Sequence, residues 1–226
     1  MPLKLAIFDL DGTLKQARDP YVLLHKHLGT WEASQSFFQK GLAGELAYEE
    51  WLRLDAALWK GVRRAAIEEI FRHNPYLPGA RETVLALKRA GVRVAVVSTG
   101  IQIHAQQVQA DLGSDYVFSN EILFEDGVAT GLARCHVPEG GKGTVVVQLQ
   151  AELGIGPGDC LAVGDSSSDA DMFAHVRIGV AIAPSSGQAR AAAHLVLEEP
   201  DLRPLLPRLR AMVPGWLPAE IDRPLP

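Results

Sequence analysis

The stretch LAIFDLDGT, residues 5–13, decides the fold. Four apolar residues, Leu5 to Phe8, run without alternation straight into Asp9-Leu10-Asp11-Gly12-Thr13. A strand that is apolar on both faces belongs in a parallel sheet covered by helices on each side, because a sheet with one wet face would alternate. Side chains two apart on an extended chain point the same way, so the Asp9 and Asp11 carboxylates converge beyond the strand's carboxyl end. Open α/β sheets bind their ligands at that edge. Gly12 permits a sharp turn, and Thr13 offers a hydroxyl to an oxyanion. A plain strand-exit turn has no use for two repelling carboxylates, whereas a cation would account for them.

Working outward, residues 92–97, 161–163 and 178–182 are further short apolar runs, each closed by Gly, Ser, Asp or Pro. Helical patterns lie between them at 80–90, 103–112, 142–153 and 170–175, and Gly91, Gly113 and Gly154 stop the first three. Alternating strand and helix signals imply right-handed βαβ units. The expected class is therefore α/β: a Rossmann-like, open, mostly parallel sheet with helices on both faces.

Two segments break the rhythm. Residues 15–74 are helical in pattern throughout (22–28, 31–39, 48–59, 64–71) and are closed by Pro75 and Pro78. They read as a small all-α cap inserted after the first strand, with Trp51 and Trp59 suited to its apolar core. Residues 121–132 place Glu125-Asp126-Gly127 between two apolar pieces, a hairpin signal. The expected organisation is a core of 1–14 and 75–206, a cap of 15–74, and a proline-rich tail of 207–226. Six prolines from Pro204 onward forbid one long helix there.

Bulk properties narrow the function. The chain has 226 residues, 47% hydrophobic and 22% charged, enough for one large domain with an insertion. A net charge of −5 gives no field for nucleic acid or an anionic membrane. No apolar run reaches the ~18 residues of a membrane span. Cys135 and Cys160 match no metal-ligand spacing or disulfide framework. A cytoplasmic protein is the expectation. The seven histidines show only a loose His25/His27 pair, which suits surface or structural roles.

The other strand ends carry complementary chemistry. Gly164-Asp165-Ser166-Ser167-Ser168-Asp169 follows an apolar strand, putting Asp165 at its tip and Asp169 in a first helical turn, where negative charge is favoured. The same serines also suit a helix cap. Ser98-Thr99-Gly100 offers a hydroxyl and backbone N–H groups as a phosphate cradle, although Ser or Thr there is more often a simple cap. Lys142, between Gly141 and Gly143, opens a helix whose dipole disfavours a cation, which is tolerable if its ammonium reaches an anionic centre.

These four segments, in this order, resemble the motifs of the haloacid dehalogenase superfamily. Residues 119–131 (SNEILFEDGVATG) and the short helical insertion resemble its phosphoserine phosphatase branch. The likeness runs from about Leu3 to about Leu206. It implies a phosphatase acting on a small phosphorylated metabolite, with Asp9 as nucleophile and Asp11 as general acid and base. It further implies Mg²⁺ held by Asp9, the Asp11 main-chain carbonyl and Asp165, with Asp169 orienting them. Thr13, Ser98, Thr99, Gly100 and Lys142 would hold the phosphate. Asp11 favours phosphate esters over carbon–halogen substrates, since the dehalogenase members resemble this fold without the second acid or the metal.

The likeness departs in the cap. Arg18 stands where the branch has a glutamate for the substrate amine, and Asp55 where it has an arginine for the substrate carboxylate; Ser168 replaces a common asparagine. An aspartate facing a carboxylate costs affinity. The expectation is a specificity other than phosphoserine, with Arg18, Tyr48, Trp51 and Asp55 lining the cap side, or Arg18 and Asp55 paired with each other. Two alternatives remain: transfer of the phosphoryl group to an alcohol, and a non-catalytic sensor of a phosphometabolite. The sensor would be marked by loss of Asp9 or Asp11, and both are present.

Overall fold

The computed structural model describes residues 2–222. A seven-stranded sheet forms its centre, with β1 (Leu5–Phe8), β2 (Arg93–Ile101), β3 (Tyr116–Glu125), β4 (Val128–Arg134), β5 (Cys160–Gly164), β6 (Ile178–Ile182) and β7 (Leu195–Leu197) in the order β4-β3-β2-β1-β5-β6-β7. Every neighbouring pair is parallel except β3 and β4, the hairpin expected from Asp126-Gly127. Asp126 and Gly127 both take positive φ, as a tight two-residue hairpin requires.

The unbroken apolar strands divide their side chains between two cores. Ala6, Phe8, Val94, Val96, Leu161 and Val163 face one side of the sheet. There they meet α5 (Ala80–Arg89) and α6 (Gln102–Leu112) through Val84, Leu87, Ala105 and Val108. Leu5, Ile7, Ala95, Val97 and Ala162 face the other, against α7 (Lys142–Leu153) and α8 (Ser167–Phe173) through Val146, Leu149, Met172 and Phe173. Period-2 alternation with apolar residues at both phases is what a doubly covered sheet requires.

Between β1 and α5 lie four helices, α1 (Pro20–Leu28), α2 (Trp31–Leu42), α3 (Tyr48–Leu58) and α4 (Arg64–Arg72). Their shared core, Leu24, Leu52, Ala56, Trp59, Ile67 and Phe71, continues into Ile101, Ile122 and Ala129 of the sheet end and hairpin and Ile103 of α6. The two connections to the core are tied together: Lys15 Nζ donates to the Asn74 carbonyl (2.7 Å), and the Ala17 N–H to Asn74 Oδ1 (3.0 Å).

Two expectations need correction. The boundary drawn at 206/207 falls inside α10 (Leu205–Met212), because Pro207 sits in the helix's first turn, where a missing N–H costs nothing. Leu205, Leu209, Trp216 and Ile221 are buried in the core, and the Leu3 N–H donates to the Trp216 carbonyl (2.8 Å), so the chain through 222 drapes over the sheet's helical layer. The last residues of the expected tail, 223–226, lie outside the described residues. Strand β2 runs on to Ile101, so Ser98-Thr99-Gly100 belongs to the irregular end of a strand, where the pairing register shifts.

Candidate active site

The pairing register brings the strand ends level. Phe8 lies opposite Val96 of β2 and Val163 of β5, so Asp9, Ser98 and Asp165 emerge at the same edge. Asp9 and Asp165 are both buried. Gly12 takes φ +87° against them, and a Cβ there would come within 2.7 Å of Asp165 Oδ2. Only glycine fits both the backbone and the space.

Lys142 is 1% exposed, and its Nζ lies 2.6 Å from Asp9 Oδ1 and 2.6 Å from Asp169 Oδ1. Burial alone would lower its pKa, but the Asp169 and Asp9 carboxylates outweigh that and raise it, so the ammonium stays charged. The anionic centre that a lysine at a helix start demands is thus present. Asp169 is also committed through Oδ2, which accepts from the Asp165 and Ser166 N–H groups (2.9 and 2.8 Å) and closes a capping box with Ser166 at the start of α8.

Ligating oxygens of Asp9, Asp165 and Asp169 lie within 4.8 Å of one another. Burial, then repulsion from Asp169, pushes the Asp165 carboxyl up to about 7 against the pull of Arg18. Burial chiefly raises Asp9 as well, against Lys142. Three buried carboxylates against two cations leave a negative excess that a hard divalent ion with oxygen preference would neutralise. With Asp169 engaged at both oxygens, Asp9 and Asp165 are the carboxylates of this cluster that could hold such an ion.

A stability prediction follows. Carboxyls whose pKa is higher folded than unfolded (~3.9 for aspartate) stabilise the fold when protonated. The metal-free protein therefore loses melting temperature as pH rises from about 4 through about 7, the window of the Asp165 carboxyl. Added magnesium is expected to raise the melting temperature more at pH 8 than at pH 5; equal shifts at both values would contradict this account of the cluster.

The Asp11 carboxylate turns away from this cluster. Its Oδ2 accepts from Ser98 Oγ at 3.4 Å, and its Oδ1 lies 3.0 Å from His104 Nδ1. Ser98 Oγ also takes the Gly100 N–H (2.8 Å), so this cradle amide is occupied, contrary to expectation. The Thr99 carbonyl accepts from Tyr21 Oη (2.9 Å), Tyr48 Oη and Asn120 Nδ2 (2.8 Å). Thr13 Oγ1 is fully buried and has no hydrogen-bond partner among the described residues.

Arg18, Tyr48, Trp51 and Asp55 line one cavity of about 500 Å³ together with Thr99 and Ser166–Ser168. The suggested Arg18–Asp55 pair does not form. Arg18 donates to Asp165 Oδ2 (3.2 Å) and the Ala183 carbonyl (2.8 Å), while Asp55 Oδ1 lies 2.7 Å from His25 Nε2. Burial raises the Asp55 carboxyl, and the His25 contact partly offsets this. Trp59 is fully buried in the helical core; Trp51, half-buried, packs edge-on against Phe38 and also faces the cavity.

The residues missed in the sequence are His25, His104, Tyr21 and Asn120. Asn120, an amide in the middle of β3 between Ser119 and Glu121, was a readable signal, because a buried amide needs several partners. His104 was not, since helical spacing alone cannot say what lies across from it.

The family model for haloacid dehalogenase-like hydrolases matches residues 6–174. The phosphoserine phosphatase of Wolinella succinogenes is 33% identical over 92% of this chain and 100% of its own length. Among solved structures, a substrate-bound phosphoserine phosphatase complex superposes with a TM-score of 0.81 at 29% identity, covering 92% of this chain and 99% of the other. A phospho-aspartyl intermediate analogue of phosphoserine phosphatase gives 0.80 at 30%, covering 92% and 99%. Motif order, sheet topology and these similarities agree, and the chain belongs to the haloacid dehalogenase-like hydrolases, within their phosphoserine phosphatase-like branch.

Proposed function

We propose that the protein is a magnesium-dependent phosphatase that hydrolyses a phosphate monoester of a small metabolite through an aspartyl-phosphate on Asp9. The observation that carries this reading is the buried Lys142 ammonium bridging Asp9 and Asp169 beside Asp165, at the carboxyl edge of a parallel sheet. Asp9 attacks phosphorus and forms an acyl phosphate while the ester P–O bond breaks. Asp11 passes its proton to the departing alkoxide, then accepts one from the water that attacks the phospho-enzyme, and inorganic phosphate leaves as Asp9 is restored. Lys142, Ser98 and the unpartnered Thr13 hydroxyl are suited to hold the phosphoryl oxygens, with Thr99 and Gly100 shaping the backbone beside them. Bound magnesium would offset the repulsion between carboxylate and phosphate.

The helices of residues 15–74 act in this reading as the cap, and their cavity wall sets specificity. Asp55 presents an acid where a phosphoserine site needs a cation, and its buried partner is His25. Arg18 is the wall's cation and reaches toward the acidic cluster. A substrate other than phosphoserine is therefore proposed. Neither nucleic acid nor a membrane has a place in this reading, and among the described residues no helix is long and apolar enough to cross one. A cytoplasmic setting accords with two free cysteines.

A panel of phosphate monoesters assayed with and without EDTA tests the proposal. Hydrolysis is expected to require magnesium and to rank phosphoserine below other esters. Phosphoserine emerging as the best substrate would refute the specificity, and undiminished activity in EDTA would refute the metal requirement.

A further inference from the structure

We infer that His104 is a positioning residue that orients the Asp11 carboxyl and links it to the hinge of the helical insertion, the paired connections at Ala17 and Asn74. The inference rests on the role proposed above for Asp11. His104, in the first turn of α6, is fully buried, and its ring stacks on Phe71 of α4 at 4.4 Å between centroids and 8° between planes. A buried imidazole without partners is costly, and this ring has two neighbours.

Hydrogen-bond polarity fixes the tautomer. The Ala17 N–H donates to Asn74 Oδ1 (3.0 Å), which identifies that atom as the oxygen and turns the Asn74 amide nitrogen toward the histidine. Asn74 Nδ2 then lies 3.5 Å from His104 Nε2, and the amide can only donate there. Nε2 is thus the acceptor, and Nδ1 carries the proton, facing Asp11 Oδ1 at 3.0 Å. Neither of those two atoms has any hydrogen-bond partner among the described residues; they are close enough to bond but not aligned as one. Catalytic hydrogen bonds commonly tighten only when substrate is bound.

The chain Ala17 N–H, Asn74 amide, His104 imidazole, Asp11 carboxylate runs from the hinge to the proposed acid. Asn74 lies two residues past the end of α4, and Phe71 lies within it, so two contacts from the insertion seat the ring. Oδ1 faces His104, and Oδ2 lies beside Ser98 and the Gly100 backbone; once the His104 contact tightens, the carboxyl plane is set and Oδ2 is the oxygen left to pass a proton. A Cβ on Gly100 would come within 2.6 Å of that oxygen, which shows how closely the backbone approaches it.

The test separates help to proton transfer from general support of the fold. The value of kcat/KM covers steps through leaving-group departure. An alkoxide needs the Asp11 proton to leave, whereas p-nitrophenolate leaves without one. His104→Phe keeps the stacked ring but removes the N–H, and His104→Asn restores a donor near the Nδ1 position. In His104→Phe, kcat/KM is expected to fall roughly tenfold or more for glycerol 2-phosphate but less than threefold for p-nitrophenyl phosphate, a part of the ~10²–10⁴-fold that one positioned proton transfer contributes. His104→Asn is expected to recover part of the loss. If the Phe variant melts below the assay temperature, His104→Gln, which places no donor at that position, takes its place. An equal fall on both esters, or none on either, overturns the inference while leaving the phosphatase reading intact. A wild-type protein without magnesium-dependent activity on both esters overturns that reading and the inference with it.

Discussion

Asp9→Asn is expected to reduce hydrolysis of p-nitrophenyl phosphate by roughly 10⁴-fold or more, the scale seen when a covalent nucleophile is removed. Asparagine keeps the size of the side chain and an oxygen for Lys142, so the fold should persist. Asp9 bears a burial cost that raises its pKa, and the amide escapes that cost. The metal-free variant should therefore melt no lower than the metal-free wild type, while its stabilisation by magnesium shrinks. Loss of a metal ligand alone would also slow turnover, so a second measurement separates the roles. Rapidly quenched Asp11→Asn is expected to show an intact mass increased by one HPO₃ unit, because it can form the acyl phosphate from an activated aryl ester but cleaves it slowly. The adduct should vanish when Asp9→Asn is added. An adduct that survives in the double variant would remove Asp9 from the nucleophile's role.

Lys142→Met should produce the largest loss of stability of any single substitution at the site. The ammonium is 1% exposed and 2.6 Å from each of two buried carboxylates, and its removal leaves Asp9 and Asp169 facing each other without a counter-charge. Breaking a buried pair from one side costs about 3–5 kcal/mol, and for a chain of this length each kcal/mol shifts the melting temperature by ~2–4 °C. A fall of roughly 10 °C in the metal-free protein is expected. Adding Asp9→Asn should recover part of it, since the pair is coupled and the two effects cannot add. Activity should fall as well, because the same ammonium would face the phosphoryl oxygens. A Lys142→Met protein melting within 3 °C of wild type would show that the bridge contributes far less than its burial implies.

The two variants test different aspects of one arrangement. Lys142 begins a helix, where the backbone dipole opposes a cation. Its position is stable only because the end of β1 and the first turn of α8, distant in sequence, deliver two carboxylates to it. Burial, with repulsion from Asp169, leaves the Asp165 carboxyl pushed up to about 7 in the same cluster. Arg18, which lies 3.2 Å from Asp165, supplies positive charge from the insertion.

By itself, the sequence determined the sheet, the helices that follow its first strand and the acidic cluster at its edge. Unbroken apolar strands can be satisfied only between two helical layers, and acids at the tips of Leu5–Phe8 and Cys160–Gly164 must then share an edge. Those inferences need only local periodicity and the rule that parallel strands end together. Only the tertiary structure decided the partners of groups that meet across elements. It paired Asp55 with His25 and Arg18 with Asp165, although a pairing between Arg18 and Asp55 was equally compatible with the sequence. It also drew His104 out of a helix face to Asp11 and seated Trp216 in the core beside Leu3. Charge and hydrogen-bond complementarity act over a few ångströms, and which side chains come that close is set by how helices rotate and pack on the sheet, which one-dimensional spacing does not encode.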